Sequence, residues 1–283
     1  MTALPASQPV QVAPVKVWGV INVTPDSFSD GGRLADPEAA LVQARRLIAD
    51  GADILDIGGE STRPRAQAVA AAQEIDRVVP LIRAIRAESA IPISIDTMKP
   101  EVARAAVAAG ATIWNDVTAL RHAPDSLATA AKLGCEVVLM HMQGEPGTMQ
   151  AEPRYGDVVA EVAEFLVARA QAAMAAGVAR ERIWLDPGIG FGKHMLDHNL
   201  PLLAGLERIV ALGFPVLLGA SRKSFISALD DGGRSADQRL GGSIAAALVG
   251  AAAGVAAVRV HDVRETVQAL RVWRAIAQAG NLG

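Results

Sequence analysis

The chain has 283 residues, of which 51% are hydrophobic, 20% charged and 4% aromatic. Its 27 Lys and Arg against 30 Asp and Glu give a formal net charge of −3. The apolar fraction excludes a disordered chain. The absence of any run of about 18 apolar residues excludes a membrane-spanning helix. The slightly acidic balance, without a Lys/Arg run, argues against a nucleic-acid coat, and Cys135 alone cannot build a disulfide framework.

Residues 1–15 carry Pro5, Pro9 and Pro14 and no positive charge before Lys16. They read as a short disordered tail, lacking the basic start and apolar core of a secretory signal. Residues 16–283 read as one domain. With one Cys and no signal, the expected compartment is the cytoplasm. Short runs rich in Val and Ile recur at 17–22, 53–58, 92–96, 112–116, 136–141, 183–186, 215–220 and 255–260. Each is apolar at nearly every residue, as expected of parallel strands buried on both faces. Ala-rich stretches between them predict helices over 37–50, 73–88, 100–109, 125–133, 156–176, 199–212, 237–253 and 262–279. Gly51, Gly110, Gly134, Gly177, Gly213 and Gly254 follow the last helical turns, where a left-handed cap is needed. Pro37 and Pro100 suit first-turn positions.

Eight strand–helix units in one unbroken chain predict an α/β fold, a (β/α)8 TIM barrel, whose usual size is about 250 residues. An open doubly wound sheet would need a phosphate fingerprint after its first strand, and no GxGxxG follows Asn22. Long loops follow strands at 23–36, 59–72, 142–155, 187–198 and 221–236, on the face where barrel enzymes carry their chemistry.

Seven strands stop at or near a polar side chain: Asn22, Asp56, Asp96, Asn115 with Asp116, His141, Asp186, and Arg259 with His261. The remaining one leads into Ser221, Arg222, Lys223 and Ser224. Closing the barrel would bring three carboxylates, two carboxamides, a lysine and an Arg/His pair to one rim. Asp and Asn suit the edge of a heteroaromatic ring bearing amino and carbonyl groups. Arg259 and His261, just before a helix, suit an anionic group. Asp116 and Asp262 read as turn or capping residues. His122, His194 and His198 read as surface or cap residues, and Cys135 as buried filler. Residues 188–193 (GIGFGK) lack the Walker spacing and read as a flexible rim loop. No HExxH, CxxC or GxSxG occurs, so neither a zinc site nor a serine elbow is expected.

Eight motifs in order carry a family resemblance. They are INVTPDSFSDGG (21–32), GGESTRP (58–64), SIDT (94–97), NDV (115–117), LMHMQG (139–144), DPGIGFGK (186–193), GASRKSFI (219–226) and RVHD (259–262). Together they resemble the dihydropteroate synthase family over essentially the whole chain from Val17 onward. The resemblance implies a TIM barrel with long loops after strands one and two. It implies a transferase that condenses 6-hydroxymethyl-7,8-dihydropterin pyrophosphate with 4-aminobenzoate. Carried over, Asp96, Asn115, Asp186 and Lys223 would hold the pterin, with Met140 and Phe191 lining its slot. Arg63, Arg259 and His261 would bind pyrophosphate, and Asn22 would ligate Mg2+. Phe28, Thr62, Pro64 and Ser224 would shape the 4-aminobenzoate site. Asp30 would face the developing cation, and with Lys223 forms the implied catalytic set. Family members are commonly homodimers. Two places depart from the family pattern: Arg65 stands where glycine is common, and the loop after Lys193 reaches Asn199 one residue late.

The groups themselves suggest a route. Pyrophosphate leaves readily once its charge is neutralised, and a dihydropterin can delocalise the resulting cation, so no strong general base is needed. The first two loops are rich in Gly, Ser, Pro and Asp, which suggests closure after pterin pyrophosphate binds and an ordered scheme, pterin first. A pterin-holding module of corrinoid-dependent methyl transfer is the alternative. It would keep the ring-binding Asp and Asn but has no reason to keep Asp30, Arg63 or the Arg259/His261 pair.

Overall fold

A computed structural model describes residues 13–24, 37–61, 68–144 and 148–279. Residues 1–12 of the tail expected over 1–15, the first-loop positions Phe28 and Asp30, and the second-loop positions Thr62, Arg63, Pro64 and Arg65 lie outside the described residues.

Strands and helices alternate along the chain. The first half runs β1 (Lys16–Asn22), α1 (Pro37–Ala49), β2 (Ile54–Gly58), α2 (Ala71–Glu88), β3 (Ile93–Asp96), α3 (Pro100–Ala109), β4 (Ile113–Asp116) and α4 (Ser126–Leu133). The second half runs β5 (Glu136–Met140), α5 (Val158–Ala175), β6 (Ile183–Asp186), α6 (Asn199–Ala204), α7 (Leu206–Val210), β7 (Leu217–Leu218), α8 (Ser224–Leu229), α9 (Leu240–Ala253), β8 (Ala257–Val260) and α10 (Val263–Ala279). The strands hydrogen-bond in the order β6-β5-β4-β3-β2-β1-β8-β7, all parallel. A parallel bridge from Leu185 to Val216 joins the two ends and closes the barrel. The predicted (β/α)8 fold is therefore the observed one. No helix among the described residues is long and apolar enough to cross a membrane.

The helix punctuation follows the sequence. Pro100 lies in the first turn of α3, and Gly110 caps its end at φ 117°. The Asp157 side chain accepts from Val159 N and Ala160 N at the start of α5, satisfying amides that have no partner inside the helix.

The structure differs from the expected elements at three places. The run 215–220 yields only the two residues of β7, at the seam where the barrel closes by a single bridge. The helix expected over 199–212 breaks into α6 and α7 at Gly205, where an added Cβ would lie 2.7 Å from Val159 Cγ2, so α5 approaches too closely for any side chain. The stretch 221–236, read as loop, holds the short helix α8 and a 3-10 turn at Asp231–Gly233.

Side chains alternate across each strand, so residues two apart share a face. Trp18, Ile54, Ile113, Val138, Trp184, Leu217 and Ala257 form one buried cluster, contributed by seven strands, that fills the barrel interior. Two residues further along stand Val20, Asp56, Asn115, Met140, Asp186, Gly219 and Arg259, four of them polar. An apolar plug thus supports a polar layer at the C-terminal mouth, the layered interior expected of this barrel. The outward faces pack on the helices in the large core. Both faces are buried, which explains why the strands read as unbroken apolar runs.

Leu217 is 0% exposed within the plug. Leu217→Ala is expected to lose about 3 kcal/mol of folding stability through lost burial and the cavity left behind. Denaturant unfolding that shows a loss under about 1 kcal/mol would mean the plug repacks freely.

Candidate active site at the barrel mouth

The centre of the mouth is Arg259, near the end of β8. Its Nε donates to Asp56 Oδ2 at 2.6 Å, and an Nη donates to Asp96 Oδ2 at 2.7 Å. Asn115 Nδ2 donates to the other Asp56 oxygen at 3.3 Å. The β2, β3 and β4 registers place Gly58, Asp96 and Asn115 side by side, but the side-chain contacts reach across the mouth between strands that are not neighbours: Asn115 to Asp56 over β3, and Arg259 to Asp56 over β1. Burial opposes charge on Arg259, but the Asp56 and Asp96 carboxylates outweigh it and hold its pKa above the ordinary arginine value. Burial pushes the Asp96 carboxyl up, Arg259 pulls against that, and Asp56 adds repulsion. Asp96 Oδ1 is buried and has no hydrogen-bond partner among the described residues. A buried acceptor left unmatched costs about 1–3 kcal/mol, so this atom is suited to an incoming N–H.

Asp186, at the end of β6, accepts from Gly188 N at 2.7 Å. Burial raises its pKa, against the Gly188 amide, Lys223 and Arg259. Lys223 Nζ lies 4.2 Å from the centroid of Phe191, a cation–π contact. Two backbone features set that pose. Gly190, at φ 82°, leaves room where an added Cβ would come within 3.3 Å of Lys223 Cδ. Arg222, immediately before Lys223, sits in the left-handed region at φ 58°. Asp262 accepts two hydrogen bonds from its guanidinium, and its amide donates to Ser243 Oγ, which together hold the strained turn. Asp262 is thus a structural partner rather than a free capping residue. Met140 is buried with Met142, Met149 and Val117, and Met98 and Phe191 pack on the same cluster, giving an apolar wall beside the polar layer.

His261 Nδ1 lies 3.1 Å from Ser221 Oγ. Burial, then Arg259 and Arg222, push its pKa down to about 3, so the ring is neutral near pH 7. Asn22 is half-buried at the end of β1, and Ser224 is exposed at the start of α8. Among the described residues no three His, Cys, Asp or Glu side chains gather as a metal cage. Magnesium does not need one, since it keeps several waters and takes one or two protein oxygens beside substrate phosphates. The Asn22 carboxamide offers a hard oxygen of that kind.

The structure brings Asp96, Asn115, Met140, Asp186, Phe191, Lys223, Arg259 and His261 to one mouth. Three readings change. His141 does not join them: its ring packs edge-on against Phe165 at 4.9 Å, towards α5. Residues 188–193 are anchored rather than flexible. Lys193 is 1% exposed, and its ammonium lies 2.9 Å from His141 Nδ1, 2.9 Å from Gly188 O and 3.1 Å from Phe191 O. Arg259, expected at an anionic group, is also bonded to two carboxylates, Asp56 and Asp96. Asp56, at a strand end that the sequence alone leaves without a role, supports the layer through its 0% exposure and its contacts to Arg259 and Asn115. Asp116 stays a turn residue, accepting from Thr118 N, Thr118 Oγ1 and Leu120 N. Cys135 is buried, and burial pushes its thiol up to about 11, which makes it inert.

Known proteins resemble the chain throughout. The family described as "Pterin binding enzyme" matches residues 18–261. The dihydropteroate synthase of Escherichia coli (strain K12) is 47% identical over 263 residues, covering 93% of this chain and 92% of that one. The solved structure of Xanthomonas albilineans dihydropteroate synthase with 4-aminobenzoic acid is 53% identical, with a TM-score of 0.87 and 94% of each chain covered. A structure of the Xanthomonas albilineans enzyme in complex with 7,8-dihydropteroate has a TM-score of 0.84 at 50% identity, again over 94% of each chain.

The anchoring of residues 188–193 generates a pH prediction. Burial, then the Lys193 cation, push the His141 pKa down from 6.5 to about 3. Between those values the unfolded chain binds a proton that the folded chain refuses, so stability falls as pH drops from 6.5 towards 3. His141→Gln is expected to flatten the stability slope between about pH 4 and 6, by up to about 1.4 kcal/mol per pH unit. Parallel slopes in chemical denaturation of the two proteins would contradict this account.

Proposed function

The chain belongs to the pterin binding enzyme family, and from that premise we propose that it works as a dihydropteroate synthase. It joins 6-hydroxymethyl-7,8-dihydropterin pyrophosphate to 4-aminobenzoate and releases 7,8-dihydropteroate and pyrophosphate. The observation that carries the reading is the buried, unmatched Asp96 oxygen in a layer that also holds Asn115, Asp186 and Lys223.

The pterin's donor edge meets Asp96 and Asp186, Asn115 supplies a donor and an acceptor, and Lys223 donates to a ring acceptor. Met140 and Phe191 cover the ring faces. Arg259, fixed by Asp56 and Asp96 at the ring edge, also faces the diphosphate, together with His261, Arg63 and the N-terminus of α10. Asn22 would hold Mg2+, which when bound supplies further neutralisation of leaving-group charge. The carbon–oxygen bond to pyrophosphate breaks with its electron pair on the leaving oxygen, and the pterin methylene becomes electron-poor. The arylamine nitrogen then bonds to that carbon and releases a proton to solvent. Asp30 faces the methylene as charge develops, and Asp30 and Lys223 are the proposed catalytic residues. Phe28, Thr62, Pro64 and Ser224 shape the 4-aminobenzoate site, and binding is ordered, pterin pyrophosphate first. The protein acts as a cytoplasmic homodimer.

The deciding assay measures pyrophosphate released from the pterin substrate with and without 4-aminobenzoate. The reading requires release matched by dihydropteroate, and it falls if no dihydropteroate forms. Asp96→Ala is expected to weaken pterin binding by about 2 kcal/mol or more, the usual cost of unmatched polar partners. Calorimetry showing unchanged affinity for a pterin analogue would remove Asp96 from the ring site. Asp30→Asn is expected to lower turnover with little change in pterin affinity, because it acts on charge present only in the transition state. An unchanged kcat would take Asp30 out of the mechanism.

A further inference from the structure

The GGESTRP motif carries a glutamate that no step above uses. Glu60 is 7% exposed in its side chain, and its two oxygens do different things. Oε1 accepts from Val69 N at 2.8 Å, on the far side of the second loop. Oε2 accepts from Lys99 Nζ at 2.6 Å, just beyond β3. Lys99 also donates to Glu74 Oε2 at 2.7 Å, on the first turn of α2, where the Glu74 side chain is 0% exposed. Neighbouring contacts fix the same spot. Arg77, from α2, donates to Gly59 O at 2.7 Å. An added Cβ on Gly59 would come within 2.9 Å of Glu74 Cγ and 2.8 Å of Val78 Cγ1, so only glycine lets the chain lie this close to α2. Lys99 N donates to Thr97 Oγ1 at 3.2 Å, which ties the lysine to the strand that ends in Asp96.

One buried carboxylate and two mostly buried charges are thus spent where no substrate contact has been assigned. Taking such groups from water is costly and is repaid only by good mutual geometry. Their arrangement joins both ends of one loop to the strand of the pterin carboxylate. The chain that leaves Glu60 and returns at Val69 carries Thr62, Arg63 and Pro64 in sequence.

We propose that Glu60, Lys99 and Glu74 are positioning residues for the reaction: they fix the two ends of the second loop against the Asp96 strand, and so set affinity for the second substrate. The inference rests on the assignment of Thr62 and Pro64 to the 4-aminobenzoate site. It predicts an asymmetry that a merely structural cluster would not produce, because the pterin layer is held by separate contacts through Asp56 and Arg259.

The test compares wild type, Glu60→Gln, Lys99→Met and Lys99→Arg. Glu60→Gln keeps an acceptor for Val69 N but turns an amide donor or a neutral oxygen towards Lys99. The expected result is a KM for 4-aminobenzoate raised about tenfold or more, corresponding to about 1.4 kcal/mol, with affinity for a pterin analogue unchanged. Lys99→Met should match it, and Lys99→Arg should recover most of the loss. If Lys99→Met fails to fold, the Glu60→Gln comparison still decides. An unchanged KM in folded Glu60→Gln, or an equal loss of pterin affinity, overturns the inference. Wild-type protein that makes no dihydropteroate would instead overturn the functional reading, and this inference with it.

Discussion

A charged guanidinium near the centre of a closed barrel needs carboxylates beside it, and Arg259 has two. Its bonds to Asp56 and Asp96 are short, and Asp56 has no exposure to solvent. Removing one member of such a group leaves an uncompensated buried charge, which typically costs about 3–5 kcal/mol. The rest of the mouth follows from this constraint. Asp56 also fixes Asn115, and Asp96 is left with one oxygen engaged and one unmatched. A buried acceptor without a partner is therefore a by-product of holding the arginine. The apolar plug below makes this possible, because it raises the polar layer to the rim while keeping water from beneath it.

Most of the barrel was legible because the strands are buried on both sides and the helices end in glycine. Gly51, Gly110, Gly134, Gly177, Gly213 and Gly254 all adopt positive φ, as their positions after predicted helices required. The mouth was legible because a strand end followed by Asn, Asp or Arg keeps its meaning once the barrel closes. What escaped reading depends on contacts between distant segments. The close fit at Gly205, where the helix breaks, is against Val159, far earlier in the chain. Lys193 followed a glycine-rich stretch and looked mobile; its partner His141 lies on another strand end, and neither residue reveals the other. The outward turn of His141 was equally hidden, since β5 ends one residue before it.

Lys193 and Lys99 show one device used twice. Each is a nearly buried lysine that gathers acceptors from separate segments at the mouth: Lys193 from Gly188, Phe191 and His141, and Lys99 from Glu60 and Glu74. Their chemistry differs. Lys193 faces carbonyls and a neutral ring, and burial pushes its pKa down to about 7. Lys99 faces two carboxylates, which outweigh burial and raise its pKa. The first arrangement holds a loop with dipoles, the second with ion pairs. Each holds a long side chain against several acceptors, and those contacts offset the entropy lost in fixing it.

Fixed charges of this kind bear on the proposed chemistry. A reaction in which the leaving group departs ahead of attack needs little proton transfer, but it needs preorganised charge at both ends of the breaking bond. In the proposed site the carboxylates that hold Arg259 would also set the ring end, so the same arginine would link the ring layer to the anion side. His261 adds a neutral ring beside Arg259 and Arg222, where a further positive charge is disfavoured. The negative charge of a diphosphate bound there, as proposed, would act against that shift. Substrate binding would then strengthen the cationic side of the site as the leaving group needs it, while the carboxylates on the ring side stay fixed by their buried partner.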